Sequence, residues 1–265
     1  MKNILLLTDF SDNALNAIRY ALRFFKSDSC NFYLMNVCKV KSFISDDLML
    51  SSQDSIYESI IAEPKDKLNQ LIKELREEFN NVELNFETII DFDLFTDAIN
   101  QAVNTKDIDF VVMGSNGITG ANEIIFGSNT ANVIRKVKCK TLIIPEGYRF
   151  KNVKELLFPV TSDDNLTEST LEDIVTFINS YKLHTHVLQL NSQNNQAETI
   201  LYKLPDSNFK TIDDVPVEYA ISSYLQTNTI DLTLFLEHSK PFLERIFKAS
   251  PAKNITSPLL IFHTN

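Results

Sequence analysis

The residues best placed to do chemistry in this chain are a cluster of glycines, one serine and one aspartate. Gly114, Gly117, Gly120 and Gly127 are four of only five glycines in 265 residues, and all four lie between Met113 and Thr130. Ahead of them, Ile108-Asp-Phe-Val-Val-Met113 is an apolar, β-branched run of strand length. Behind them, residues 131–137 are apolar at helical spacing. A strand, a glycine-rich loop and a helix in that order make a backbone cradle. Gly114 and Gly117 are free to take positive φ and let a second molecule approach the main chain. Gly127-Ser128 falls where the helix begins, with unpaired amides and the positive dipole end facing outward. What such a cradle offers is anion binding, phosphate first.

The spacing is glycine, two residues, glycine, nine residues, glycine and then serine. No Gly-Lys-Ser/Thr follows, so it is not a P-loop, and the glycines lie too far apart for the dinucleotide fingerprint. The pattern resembles the nucleotide-binding signature of the universal stress protein family. Ile4-Leu-Leu-Leu-Thr-Asp-Phe-Ser11 likewise resembles that family's first strand and its aspartate, here Asp9. The bland alternative is a glycine-rich turn that only connects a strand to a helix.

The resemblance implies an adenine nucleotide alpha hydrolase-like α/β fold that binds ATP or another adenine nucleotide, with Mg²⁺ as a companion ion. It also implies the site. Leu7 and Asp9 stand at the first strand's end, Asp9 holding the ribose or base region, and Val37 meets adenine through its backbone. Met113 and Gly114 line the ribose and phosphates. Gly117, Gly127, Ser128 and Asn129 hold the phosphates through amides and a hydroxyl. The family's role is regulation under stress, not a committed reaction. One departure matters: residues 114–129 contain no Lys or Arg, and Glu123 adds a negative charge. Each charge–dipole interaction contributes only about 0.3–1 kcal/mol, which favours weak or AMP-like binding.

Catalytic residues are not evident. There is no Ser-His-Asp order, no nucleophile elbow and no general base near the cradle, so at most slow ATP hydrolysis is expected. All four histidines lie beyond residue 180: His184, His186, His238 and His263. His184 and His186 share a face if their segment is a strand. They read as polar residues on an exposed or edge face, and no metal ligands are expected from protein side chains. A rival reading from another class is a nucleotide-free interaction or assembly protein of the same fold.

A net charge of −10, spread along the chain, argues against nucleic acid and anionic membranes as partners. No run approaches the roughly 20 apolar residues of a membrane span. Cys30, Cys38 and Cys139 are odd in number and lack metal spacing, so they read as buried thiols of a cytoplasmic protein.

The elements that must position the cradle alternate. Lys2–Thr8, Asn31–Val37, Val82–Ile90, Ile108–Met113 and Lys140–Pro145 read as strands. Helices fall between them around Ala14–Phe25, Ser55–Phe79, Leu94–Val103 and 128–137, with Pro64 opening or kinking the second. Residues 39–54 read as a loop. Such alternation makes a covered, doubly wound parallel sheet with its ligand beyond the strands' carboxyl ends. Residues 152–265 read as a second, eroded copy of residues 1–146. Leu156–Asn165 repeats Ile4–Asn13, Phe177 falls on Phe25, His184–Leu190 repeats the second strand, and Asp231–Phe235 repeats Asp109–Met113. The chemistry is not copied: Thr161 stands for Asp9, Leu236 for Gly114 and Ser239 for Gly117. Both copies end in a short apolar strand, Thr141–Ile144 and Leu259–Phe262, suited to pairing within the chain or between chains of a homodimer.

Overall fold

The computed structural model describes residues 1–38, 53–80, 84–115, 127–161, 164, 166–190, 203–204, 206–236 and 256–263, with 53–60 as backbone only. In chain order the elements are β1 (Lys2–Leu7), α1 (Asp12–Phe24), β2 (Cys30–Val37), α2 (Gln53–Glu78), β3 (Asn85–Asp91), α3 (Phe95–Thr105), β4 (Phe110–Gly114), α4 (Ser128–Lys136) and β5 (Lys140–Ile144). The second half adds β6 (Glu155–Thr161), α5 (Glu168–Tyr181), β7 (His184–Leu190), β8 (Ser207–Ile212), α6 (Val217–Thr227), β9 (Leu232–Leu236) and β10 (Leu259–Phe262).

β1 shows why the sheet is parallel and covered. Ile4, Leu5, Leu6 and Leu7 are all buried, so both faces of the strand need apolar partners, as in a sheet with helices on each side. On one face Ile4 and Leu6 join a core with Ile18 and Leu22 of α1, Leu68 and Leu75 of α2, and Ile174 of α5. On the other, Leu5 and Leu7 join Ile99 of α3, Ile134 of α4 and Ile221 of α6. α1 starts where the sequence supplies a cap: the Ser11 hydroxyl accepts from Ala14 N at 3.3 Å.

Ten strands form a single sheet in the order β3-β2-β1-β4-β5-β10-β9-β6-β7-β8. Each half therefore has the same internal order, third-second-first-fourth-fifth strand. Within each half the pairing is parallel. The halves meet where β5 and β10 pair antiparallel, with Leu259 opposite Ile143, Leu260 opposite Leu142 and Ile261 opposite Thr141. The repeat extends to the polar contacts at the strand starts. Asp109 Oδ2 accepts from Asn3 N at 2.8 Å, and Asp231 Oδ2 accepts from Glu155 N at 3.1 Å.

The seam is backed by aromatic rings on the α1/α5 side. Phe24 of α1 lies 4.7 Å from the Tyr181 ring of α5, centroid to centroid. Tyr181 Oη donates to Asp28 Oδ2 at 2.5 Å, and Lys2 Nζ pairs with the same carboxylate at 2.9 Å. Burial first, then the bond and charge of Asp28, push the Tyr181 phenol far above its ordinary pKa.

The elements differ from the sequence expectation in three places. α2 is continuous from Gln53 to Glu78 and carries Pro64 inside it. β8 and α6 have no counterpart in the expectation, for understandable reasons. β8 is an edge strand whose residues alternate between half-buried and exposed along most of its length, which leaves little apolar periodicity to detect. α6 begins at Pro216 without a side-chain cap bond. Among the described residues no helix is long and apolar enough to cross a membrane.

Candidate functional site

At the carboxyl ends of β1, β2 and β4 the first half opens into a cleft of about 560 Å³. This lies within the range of about 300–1,000 Å³ usual for small-molecule sites. β1 and β4 are neighbours in the sheet, and the winding direction switches between them, the position where such sheets hold ligands. The cleft gathers Leu7, Asp9, Val37, Met113, Gly114 and Asn129 from four separate segments. Gly127 and Ser128 stand beside it as the N-cap and first residue of α4, without lining it. Gly117 lies outside the described residues.

The turn after β1 is held in a single shape. Thr8 O accepts from the buried Asn36 amide at 2.7 Å, and Thr8 Oγ1 accepts from Phe10 N at 3.0 Å. Phe10 sits at φ 64°, a left-handed conformation uncommon for a bulky residue. Asp9 Oδ1 accepts from Ser11 N at 3.0 Å. Together these bonds hold the exposed Asp9 carboxylate at the cleft edge on a turn that is not free to unwind.

Gly114 requires a correction. It is not among the residues at positive φ; of the described glycines only Gly147 is. What Gly114 accommodates is α1. A Cβ added there would lie 2.7 Å from Asn13 Nδ2 and 3.0 Å from Asn13 O. Asn13 in turn donates through Nδ2 to Ser115 O, tying the start of α1 to the end of β4.

Three wall segments escaped the sequence reading. Thr8 and Ala14 flank the first strand's turn, Cys38 extends β2, and Phe92–Phe95 form the far wall after β3. That wall is shaped by an Asx turn, in which Asp91 Oδ1 accepts from Asp93 N at 2.8 Å. Leu94 projects there, 75% exposed. A Pro/Gly-free segment such as Asp91-Phe-Asp-Leu-Phe95 carries no recognisable motif, so only the sheet order reveals it as a wall. The cleft is apolar toward Val37, Leu94 and Phe95 and polar toward Asp9 and Asn129. Behind the polar side lie Ser115 and Thr130, both fully buried, whose hydroxyls have no hydrogen-bond partner among the described residues.

The cysteines differ in access. Burial pushes the Cys139 thiol up to about 12 and the Cys30 thiol up to about 11. Cys38 is half-buried, and its thiol is raised by burial and then by the charge of Glu63. Thiolate is scarce at neutral pH for all three, so access decides the order of reaction. With Ellman's reagent at pH 8, Cys38 is expected to react first. A small molecule seated in the cleft should slow that phase at least fivefold, whereas a Cys38 rate indifferent to it would place that molecule elsewhere.

Among the described residues the second half does not repeat the cleft's chemistry. Leu236 pairs with Phe262 as Gly114 pairs with Ile144, and Leu236 is fully buried. Thr161, in the place of Asp9, donates its hydroxyl to Asp164 Oδ2 at 3.1 Å. Ser239 lies outside the described residues. The histidines also need correction. β7 is flanked by β6 and β8 and so is not an edge strand, and the His184 and His186 side chains are 30% and 12% exposed.

Residues 1–145 match the family model described as the universal stress protein family. A universal stress protein of Methanocaldococcus jannaschii, MJ0577, is 26% identical over 152 residues, covering 54% of this chain and 94% of that protein. A second from the same organism, MJ0531, is 26% identical over 143 residues, covering 54% of this chain and 81% of that one. The solved structure of a universal stress protein from Archaeoglobus fulgidus superposes with a TM-score of 0.68 at 15% identity, covering 99% of this chain and 96% of that one. At that identity the likeness shows the fold, here across both halves.

Proposed function

Because the chain belongs to the universal stress protein family, we propose that its first half binds ATP or a related adenine nucleotide, one per chain. In this reading the protein acts as a nucleotide-responsive regulator in the cytoplasm. The observation that carries the proposal is the cleft at the β1/β4 switch point, where Leu7, Asp9, Val37, Met113, Gly114 and Asn129 converge. Val37 and the Phe92–Phe95 wall offer an apolar slot for a purine. Asp9 faces the ribose hydroxyls as acceptor. The amides at the start of α4, with Gly127 and Ser128, face the phosphates. Mg²⁺ bound with the nucleotide would offset phosphate charge that no Lys or Arg among residues 114–129 meets.

The second half, with Leu236 in the glycine's place, serves contacts rather than nucleotide binding. The rival reading, a nucleotide-free assembly protein, draws on the same lack of cations. Calorimetric titration of the full chain with ATP and AMP separates the two. The proposal expects saturation at one site, and the absence of heat at millimolar ligand would favour the rival.

Asp9→Ala is expected to weaken ATP binding by about 1.5–3 kcal/mol, the range for a hydrogen bond to a charged group. Asp9 also caps its own turn through Ser11 N. Asp9→Asn keeps that acceptor while losing the charge, and should fall between the wild type and Asp9→Ala. If all three proteins bind alike, Asp9 does not touch the ligand.

A further inference from the structure

We propose that Glu155, His184 and His186 form a binding site for a first-row divalent cation such as Zn²⁺, on the second half and independent of the nucleotide cleft. His184 and His186 are two apart on β7 and therefore share one face. The register of β6 places Glu155 directly opposite His184. One donor atom from each of the three residues lies within 4.8 Å of the other two. Donors around tetrahedral Zn²⁺, at about 2.0–2.2 Å from the ion, sit about 3.3 Å from one another. Small side-chain rotations thus close the set. His186 Nε2 and Glu155 Oε2 are already 2.8 Å apart.

The surroundings resemble an outer coordination shell. His184 Nδ1 lies 3.1 Å from Asp206 Oδ1, and His186 Nδ1 lies 2.8 Å from Tyr224 Oη. A carboxylate or hydroxyl on the outer nitrogen fixes ring orientation and tautomer in histidines that bind metal. His184 Nε2 has the Asn208 amide at 2.8 Å, so with Nδ1–H donating to Asp206 its Nε2 carries a lone pair. The ion displaces that amide. At His186 the ion replaces the proton between Nε2 and Glu155; the ring takes the tautomer with its proton on Nδ1, which donates to Tyr224 Oη. Two imidazoles and one carboxylate suit Zn²⁺, Ni²⁺ or Cu²⁺ better than Mg²⁺ or Ca²⁺, and three protein ligands leave a position for water.

The competing account is a hydrogen-bonded cluster that only fastens β6, β7, β8 and α6. Titration of the metal-free full chain with ZnCl₂ at pH 7.5 decides between them. The expected result is one ion per chain at micromolar affinity or tighter. His184→Gln and His186→Gln should each weaken it at least tenfold. Circular dichroism checks folding; if His186→Gln fails to fold, His184→Gln carries the test, because its ring is the more exposed. No saturable binding by the wild type, or unchanged affinity in the folded variants, overturns the site.

Discussion

Replacing Leu260 with alanine is expected to destabilise the whole chain by about 2–5 kcal/mol, the range for emptying a buried leucine site. Leu260 is 1% exposed. It lies on β10 between Leu142 of β5 and Leu234 of β9, so the cavity opens where the two halves join. The form of the loss is as informative as its size. The core on the α1 side runs without a break from Ile4 through Leu142 and Leu260 to Leu156 and Ile174, and the aromatic stack of Phe24 on Tyr181 spans the same joint. Urea unfolding followed by tyrosine fluorescence and by far-ultraviolet dichroism should therefore give coincident transitions in both proteins, shifted together by the substitution. A variant in which only part of the dichroism change moves would mean that the halves unfold separately. A shift below about 1 kcal/mol would mean the site collapses around the smaller residue.

Gly114→Val should cost stability and ligand together. The valine Cβ meets Asn13 at 2.7 Å through Nδ2 and at 3.0 Å through the backbone oxygen. The side chain could turn away, but the main chain of α1 cannot without lifting the helix start. Overpacking of this kind costs about 1–3 kcal/mol. Asn13 then loses its hold on Ser115 O, the Asp9 turn shifts with the helix, and ATP affinity should fall at least tenfold. Thermal unfolding without ligand tests the packing claim, because a glycine needed only for nucleotide approach would tolerate valine in the free protein. A double-mutant cycle sharpens it. Asn13→Ala should relieve part of the cost of Gly114→Ala, with a coupling of about 0.5–3 kcal/mol for residues in contact. Additive effects would separate the two residues.

Much of the architecture was legible because its signals are local. An unbroken run such as Ile4–Leu7 has to be covered on both faces. The capped, periodic residues 11–25 form a helix, and the apolar run before Gly114 and the periodic residues after Gly127 form β4 and α4. The duplication could be read from residue types alone, and the structure adds its polar signature in Asp109 and Asp231. What escaped depends on contacts between distant segments. The reason for Gly114 is Asn13, about a hundred residues earlier. The cleft's far wall, Phe92–Phe95, has no pattern of its own and acquires a role only from the sheet order. β8 hides because an edge strand with an exposed face needs few apolar residues. His184 and His186 read as surface residues because Glu155, Asp206 and Tyr224, which enclose them, come from β6, the turn before β8 and α6.

The antiparallel joint of β5 with β10 also changes what mutation can do. Two identical subunits paired this way would be copies from one gene, and any substitution would appear in both, so a leucine filling one cradle would fill the other. Tethered in one chain, the halves are written separately. Leu236 could replace glycine in one without touching Gly114 in the other, while residues at the joint stayed bound to fit each other. A chain that carries both halves can thus hold glycine at one strand end and leucine at the other, with the shared sheet holding both to a common shape.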